Sequence, residues 1–352
     1  MMSRALLRYL HKQTGRHRRS VQVPRRNFIL GIETSCDDSG VAIISEDGRL
    51  LGEAIATQKT TRYGGVIPSF AMGFHAEALP RTTRDALKQA SNGEPVSLDR
   101  LRNVGVELIA VTTRPGMGGS LDTGLRFAQY LAMKNRLPII PVHHMEAHAL
   151  TARMVQQIQF PFMVFLVSGG HCLLAMAEDV DKYKLLGRCG DGAPGQLFDK
   201  VARRLKLHTL RLDLRDVSGG RAMEMVGSTG DPTYIPFHVP MRQHRNCNFS
   251  VSGLQTHIME EIARIESDFK TGHDEFIPNL PNFCASVEYT LSKHLCERLQ
   301  RGIEFANQTE MWKSKVSSSG DDGKSVKTLV VSGGVAANKR LKSSIQKVGQ
   351  YS

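Results

Sequence analysis

The stretch FILGIETSCDDSGVAIISEDGRLLGEA, from Phe28, is answered by FMVFLVSGGHCLLAMAEDVDKYKLLGRC, from Phe162. Each reads as an apolar strand, a tight turn of small polar residues, a second apolar strand, an acidic turn and a third short strand ending in Leu-Leu-Gly. Thr34 and Ser168 hold the same place in the two hairpins, and Leu50-Leu51-Gly52 answers Leu185-Leu186-Gly187. Such a duplication constrains the chain to two similar α/β halves, each covering its own sheet with helices. The first copy leads to helical material, then to the strand and Gly-rich turn VELIAVTTRPGMGGS, a helix through LDTGLRFAQYLAMKN and the strand LPIIPV. The second leads to helical stretches around VARRLKL and NFCASVEYTLSKHLCERLQRGIEFA, then to KTLVVSGGVAANKRLKSSIQK, where a strand again enters Gly-Gly and a helix starts. By the pattern of the first half, one more strand and helix are expected where the chain stops at Ser352, so the second lobe is expected to be incomplete. The expected division is a leader over 1–27, an N-terminal lobe over 28–150 and a C-terminal lobe over 151–352, with a Gly/Ser-rich surface loop near 312–327.

At 352 residues and 41% apolar content the chain can build two cores. Its longest apolar run, Phe160 to Val167, is far short of the roughly 20 residues a membrane-spanning helix needs, so no membrane partner is expected. The formal charge is +12, but eight of the basic residues, Arg4 to Arg26, precede the first acidic one, Glu33. That Arg-rich, acid-free, amphipathic start has the character of a mitochondrial presequence, disordered and removed before Phe28, and places the protein in the matrix. The competing reading is a basic arm that touches nucleic acid. The mildly basic remainder suits an RNA partner. Six cysteines with no C-x-x-C pair indicate neither a zinc ribbon nor a disulfide framework.

Three places carry candidate chemistry. In PVHHMEAHAL, a helix starting after the strand would put His144 and His148 on one face, where both imidazoles reach one divalent ion; Glu146 would point elsewhere, against a zinc-peptidase arrangement. Two histidines so placed are either metal ligands or an ordinary packed pair. In VFLVSGGHCLL, Ser168, Gly169 and Gly170 turn between two strands, either as an anion-binding hairpin or as a plain one. TSCDDSG and VVSGGVAAN repeat that small-residue turn, with no Walker lysine and no Rossmann spacing. In GDGAPGQLFDKVARRLKL, Asp199 and Lys200 are expected to open a helix carrying Arg203 and Arg204, Asp199 either capping it or accepting ribose hydroxyls.

Taken together, GIETSCDDSGVAI, GGVIPSFAMGFHAEAL, PVHHMEAHAL, LVSGGHCLL, FDKVARRL, SGGRAME, NFSVSGL and VVSGGVAANKRL, running in one order from about Ile29 to Leu341, resemble the TsaD family, once called O-sialoglycoprotein endopeptidases, in its mitochondrial single-subunit branch. The resemblance implies an actin/Hsp70/sugar-kinase-like (ASKHA) fold of two duplicated lobes around a cleft. It implies an acyltransferase that moves the threonylcarbamoyl group of threonylcarbamoyl-AMP to N6 of adenosine 37 in tRNA. Carried over motif by motif, His144 and His148 would hold one divalent metal ion, iron or zinc. Leu166, Val167, Ser168, Gly169 and Gly170 would cradle the adenylate; Asp199, Gly220 and Glu224 would bind its nucleoside part, and Ser332, Gly333 and Asn338 would close the other side. Gln196 and Ser69 stand where most members have glutamate, so no carboxylate role transfers there. The family's last metal ligand is an aspartate beyond the VVSGGVAAN helix.

The implied partners are tRNA, threonylcarbamoyl-AMP and, as an open question, the family's homodimer. Lys200, Arg203 and Arg204 are expected either to receive the tRNA backbone or to form a solvated helix face. No general base is assigned. Two rival classes stand beside the transferase: a catalytically impaired, shortened chain acting only as a binding protein, and an actin-fold ATPase or kinase. The histidine pair argues against the latter, because such enzymes hold Mg²⁺ through oxygen ligands.

Overall fold

The computed structural model describes residues 27–58, 66–272, 275–309, 311 and 327–351. The expected basic leader over 1–27, apart from Asn27, and the expected loop near 312–327, apart from Lys327, lie outside the described residues. The chain divides into two compact units between Gln157 and Ile158. The expected boundary at 150 falls inside a helix, His144–Val155, whose hydrogen-bond ladder runs on until Gln156 donates to the Ala152 carbonyl.

In the first unit the elements run in the order β1 (Phe28–Glu33), β2 (Asp38–Ser45), β3 (Leu50–Thr57), α1 (Pro68–Ala90), β4 (Val106–Arg114), α2 (Gly118–Asn135), β5 (Ile139–His143) and α3 (His144–Val155). The sheet order is β3-β2-β1-β4-β5. β1, β2 and β3 form an antiparallel meander, and β4 and β5 extend it parallel to β1. Period-two alternation decides which face is covered. Leu30, Ile32, Val41 and Ile43 point to one side and pack under Leu79 and Leu87 of α1 and Ala128 and Leu131 of α2. Ile29 and Leu108 point to the other side and form a small cluster with Ala110 and Ile140.

The second unit contains β6 (Phe162–Val167), β7 (Cys172–Asp179), β8 (Lys182–Arg188), α4 (Pro194–Arg204), α5 (Gly219–Gly227), α6 (Ser252–Phe269), α7 (Leu280–Gln308), β9 (Leu329–Ser332) and α8 (Lys339–Tyr351). Its sheet order is β8-β7-β6-β9, with β6 antiparallel to β7 and parallel to β9. All six residues of β6 are buried, as a strand covered on both faces requires, which explains its unbroken apolar run. The core beside it gathers Leu197 and Val201 of α4, Met223 of α5, Ile258 of α6 and Phe283, Val287 and Leu291 of α7.

The order β8-β7-β6-β9 repeats β3-β2-β1-β4, so the duplication in the sequence is a duplication of sheets. Each unit has the meander-plus-parallel-strand pattern of the actin/Hsp70/sugar-kinase-like class. One local expectation fails. Leu50-Leu51-Gly52 opens β3 rather than ending it, because β2 offers backbone partners as far as Asp38, opposite Thr57.

Candidate active site

In the first unit, β1 delivers Glu33 at its C-terminal end, directly before the turn that holds Ser35. β4 runs alongside in parallel and brings Thr112, and β5 hands over to α3 at His144. The His143 ring caps that helix, its Nδ1 accepting from the Met145 N–H at 3.3 Å. One turn of α3 then places His144 and His148 together, with their Nε2 atoms 3.2 Å apart and their rings nearly perpendicular. Behind them, His144 Nδ1 lies 3.2 Å from Glu33 Oε2 and 3.2 Å from Ser35 Oγ. The Glu33 carboxylate also accepts from the Ser35 N–H at 2.6 Å and from the Thr112 hydroxyl. Burial pushes the Glu33 pKa up, but the hydrogen bond and charge of His144, aided by Ser35 and Thr112, outweigh it and hold the group at about 2. A carboxylate on Nδ1 favours a proton on that nitrogen and turns Nε2 toward His148.

This arrangement fits half of a metal site. Two nitrogens bound to one tetrahedral ion at about 2.0–2.1 Å are roughly 3.3 Å apart, close to the separation found. The support behind His144 is the carboxylate–histidine pairing that orients metal ligands. Among the described residues, no group of three or more His, Cys, Asp or Glu is arranged to hold an ion. Glu33 was not singled out from the sequence. Its signal is a lone carboxylate closing the apolar strand FILGIE, beside a parallel strand carrying Thr112 and Thr113.

In the second unit, a cavity of about 480 Å³ forms above the C-terminal ends of the parallel pair β6 and β9, a size that suits a small ligand. Gly169 of the Ser-Gly-Gly turn forms one wall, with the first turn of α4 against it. A Cβ on Gly195 would sit 2.6 Å from the Gly169 Cα, so only glycine lets this helix approach so closely. Ser168 Oγ folds the turn by accepting from the Gly170 and His171 N–H groups, at 3.3 and 3.0 Å. Opposite lie Gly334, Val335, Ala337 and Asn338; the preceding Gly333 has φ +105° and lies so near β6 that a Cβ would meet the Val167 carbonyl oxygen at 2.3 Å.

Helix N-termini therefore border this cavity from several sides: Gly195 in the first turn of α4, Ser218 and Gly220 at the start of α5, and Asn338 capping α8. Their N–H groups and dipoles favour an anion. Two carboxylates, Asp199 and Glu224, line the same space with Arg221 and the Phe198 ring. Glu224 pairs with Arg221 and accepts from the Lys339 N–H at 2.8 Å, tying α5 to the start of α8. Phosphate-accepting N-termini beside hydroxyl-accepting carboxylates describe a nucleotide site.

Of the residues expected here, Gly169, Asp199, Gly220, Glu224 and Asn338 line the cavity. Leu166, Val167, Ser168, Gly170, Ser332 and Gly333 are not among its lining; Leu166 and Val167 are buried inside the sheet, and the cavity walls come from the turns and helix starts just past the strand ends. Asp199 does not open its helix but sits midway along α4. Its Oδ1 accepts from the Gly219 N–H at 3.0 Å, so it caps the next helix, α5. Of the three basic residues expected to meet tRNA, Arg204 forms a forked pair with Glu266 of α6, and Lys200 donates to Gln255 Oε1 at 3.0 Å. Ser218, Arg221 and Gly195 were missed; their signal was the Ser-Gly-Gly-Arg-x-x-Glu and Ala-Pro-Gly helix starts.

Comparison with known proteins identifies the family. The model of the family described as TsaD: tRNA N6-adenosine threonylcarbamoyltransferase matches residues 49–351. A Drosophila melanogaster protein named probable tRNA N6-adenosine threonylcarbamoyltransferase, mitochondrial, is 40% identical over 329 residues, covering 92% of this chain and 76% of its own length. Mitochondrial tRNA N6-adenosine threonylcarbamoyltransferases of Xenopus tropicalis and Homo sapiens are each 37% identical, over 93% and 91% of this chain and 76% and 73% of their own. With a family match across most of its length and relatives this similar, the chain belongs to the TsaD family.

Proposed function

We propose that this chain is a mitochondrial tRNA N6-adenosine threonylcarbamoyltransferase, acting in the matrix, with threonylcarbamoyl-AMP as the donor. The observation that carries the donor is the second unit's cavity, where helix N-termini and two carboxylates meet as an adenylate's phosphate and ribose require. Family membership supplies the acceptor.

In the reaction, the adenosine N6 amine attacks the carbamoyl carbon, forming the N–C bond while the C–O bond to the phosphate breaks. AMP departs with the electron pair, and the N6 proton passes to water. The Gly169 turn and the first turns of α4 and α5 stabilise the phosphate charge that grows as AMP leaves. Asp199 and Glu224 hold the ribose hydroxyls, and Phe198 supplies an apolar surface. Positioning carries much of the rate, since an activated mixed anhydride already has a good leaving group. His144 and His148 would hold a divalent ion, iron or zinc, which when bound supplies a Lewis acid. Glu33 and Ser35 keep His144 turned for that task.

The test combines purified chain, synthetic threonylcarbamoyl-AMP and unmodified mitochondrial tRNA, with nucleoside mass spectrometry as the readout. N6-threonylcarbamoyladenosine should form, and Asp199→Ala should raise the donor KM. Bound metal, measured by elemental analysis, should fall in His144→Ala and His148→Ala. Absence of the modified nucleoside with wild-type chain refutes the reaction; unchanged metal content in both variants refutes the ligand assignment.

A further inference from the structure

The second unit buries a carboxylate that the reaction above does not use. Glu288 lies on the inner face of α7 and is only 2% exposed. Its Oε1 accepts from Asn338 Nδ2 at 2.7 Å, while Asn338 Oδ1 accepts from the Leu341 N–H at 3.0 Å. Asn338 is thus held from both ends at the cavity wall. We propose that Glu288 is a positioning residue for the nucleoside site, fixing which end of the Asn338 carboxamide faces a bound adenosine. The inference rests on the nucleotide reading of that cavity.

Polarity supplies the argument. A carboxamide can be turned end for end with little change of shape, so its hydrogen-bond partners must choose its direction. Turned over, Asn338 would set its NH₂ against the Leu341 N–H and its oxygen against the Glu288 carboxylate, two repulsive contacts in place of two attractive ones. An ionised carboxylate accepts and never donates, so it enforces the choice more strongly than a neutral group does. With Oδ1 on Leu341 and one Nδ2 hydrogen on Glu288, the second Nδ2 hydrogen is the donor left for an acceptor atom of the ligand.

The surroundings keep this carboxylate titratable. From α8, Arg340 Nε approaches Glu288 Oε2 to 3.8 Å, within ion-pair range but too far for a hydrogen bond. From α5, Glu224 adds a like charge, and a Cβ on Gly227 would meet Glu288 Oε2 at 3.0 Å. Cys284 lies one turn earlier on α7. Burial raises the Glu288 pKa, opposed by the Asn338 hydrogen bond and the Arg340 charge, and the group stands at about 6. Above that pH Asn338 has a charged acceptor, and below it a neutral one.

The experiment measures adenosine binding by calorimetry on either side of pH 6, using the full chain. Adenosine is chosen because the phosphate of AMP itself titrates near 6. Replacing a charged acceptor by a neutral one should weaken adenosine binding about fivefold on the acid side. Glu288→Gln should bind with the wild type's acid-side affinity at every pH, and Glu288→Leu more weakly still. Thermal melts check folding, and Glu288→Gln carries the test if the leucine variant does not fold. A wild type with no pH step, or a Glu288→Gln protein that keeps the step, overturns the inference while leaving the cavity's assignment intact. If neither adenosine nor AMP binds wild-type protein, the nucleotide reading falls and this inference with it.

Discussion

Replacing Glu288 by glutamine should make the protein more stable near neutral pH, although the residue is buried and hydrogen-bonded. The side chain is 2% exposed, and its pKa is raised from 4.5 to about 6, with burial as the largest cause. Between those two pH values the folded chain holds a proton that the unfolded chain has released, so stability falls as pH rises through the window. Above pH 6 the ionised carboxylate therefore destabilises the fold by about 2 kcal/mol relative to its neutral form. Glutamine has nearly the same shape and can accept the same bond from Asn338 without carrying the charge. In a unit of this size, about 2 kcal/mol corresponds to a rise in Tm of roughly 4–8 °C. Urea or thermal unfolding of both proteins, at pH values on either side of the window, provides the measurement. The gap should be present above 6 and vanish below 4.5. A variant that is less stable than wild type at neutral pH, or a gap that ignores pH, would show that Asn338 and Arg340 outweigh burial. Retaining a destabilising charge behind a residue of the cavity wall is what a functional constraint looks like.

The remaining predictions are more local. Glu33→Gln removes the charge behind His144 and should weaken metal binding about 10- to 100-fold, read by equilibrium dialysis with zinc, without unfolding the first unit. Gly195→Ala forces a Cβ against the Gly169 backbone at 2.6 Å, so it should cost about 1–3 kcal/mol and weaken AMP binding; unchanged melting and affinity would contradict the close approach. Arg204→Ala breaks a forked, half-exposed pair with Glu266 and should lower stability by about 1 kcal/mol or less, while leaving the salt dependence of tRNA binding unchanged. A shallower salt slope in that variant would place Arg204 on the tRNA surface.

Much of this was legible in the residues themselves. The repeated meander could be read because strand patterning and turn chemistry are local, and both copies keep them. The His144–His148 pair could be read for the same reason, since one helical turn decides which side chains share a face. Asp199 was legible as a helix cap but not as the cap of α5, because the backbone it serves is 20 residues away in sequence. The charge run showed Arg204 but not its ion pair, because Glu266 lies on another helix of the core.

By itself the sequence determined what depends on near neighbours: two α/β halves, the strand-to-glycine turns and a histidine face on a short helix. Tertiary structure alone decided what depends on contacts distant in the chain: Glu33 behind His144, α4 pressed onto the Gly169 turn, and a buried Glu288 steering Asn338. The physical reason is that a side chain's periodicity shows which way it faces, whereas its polarity acts only on the partner that folding places opposite.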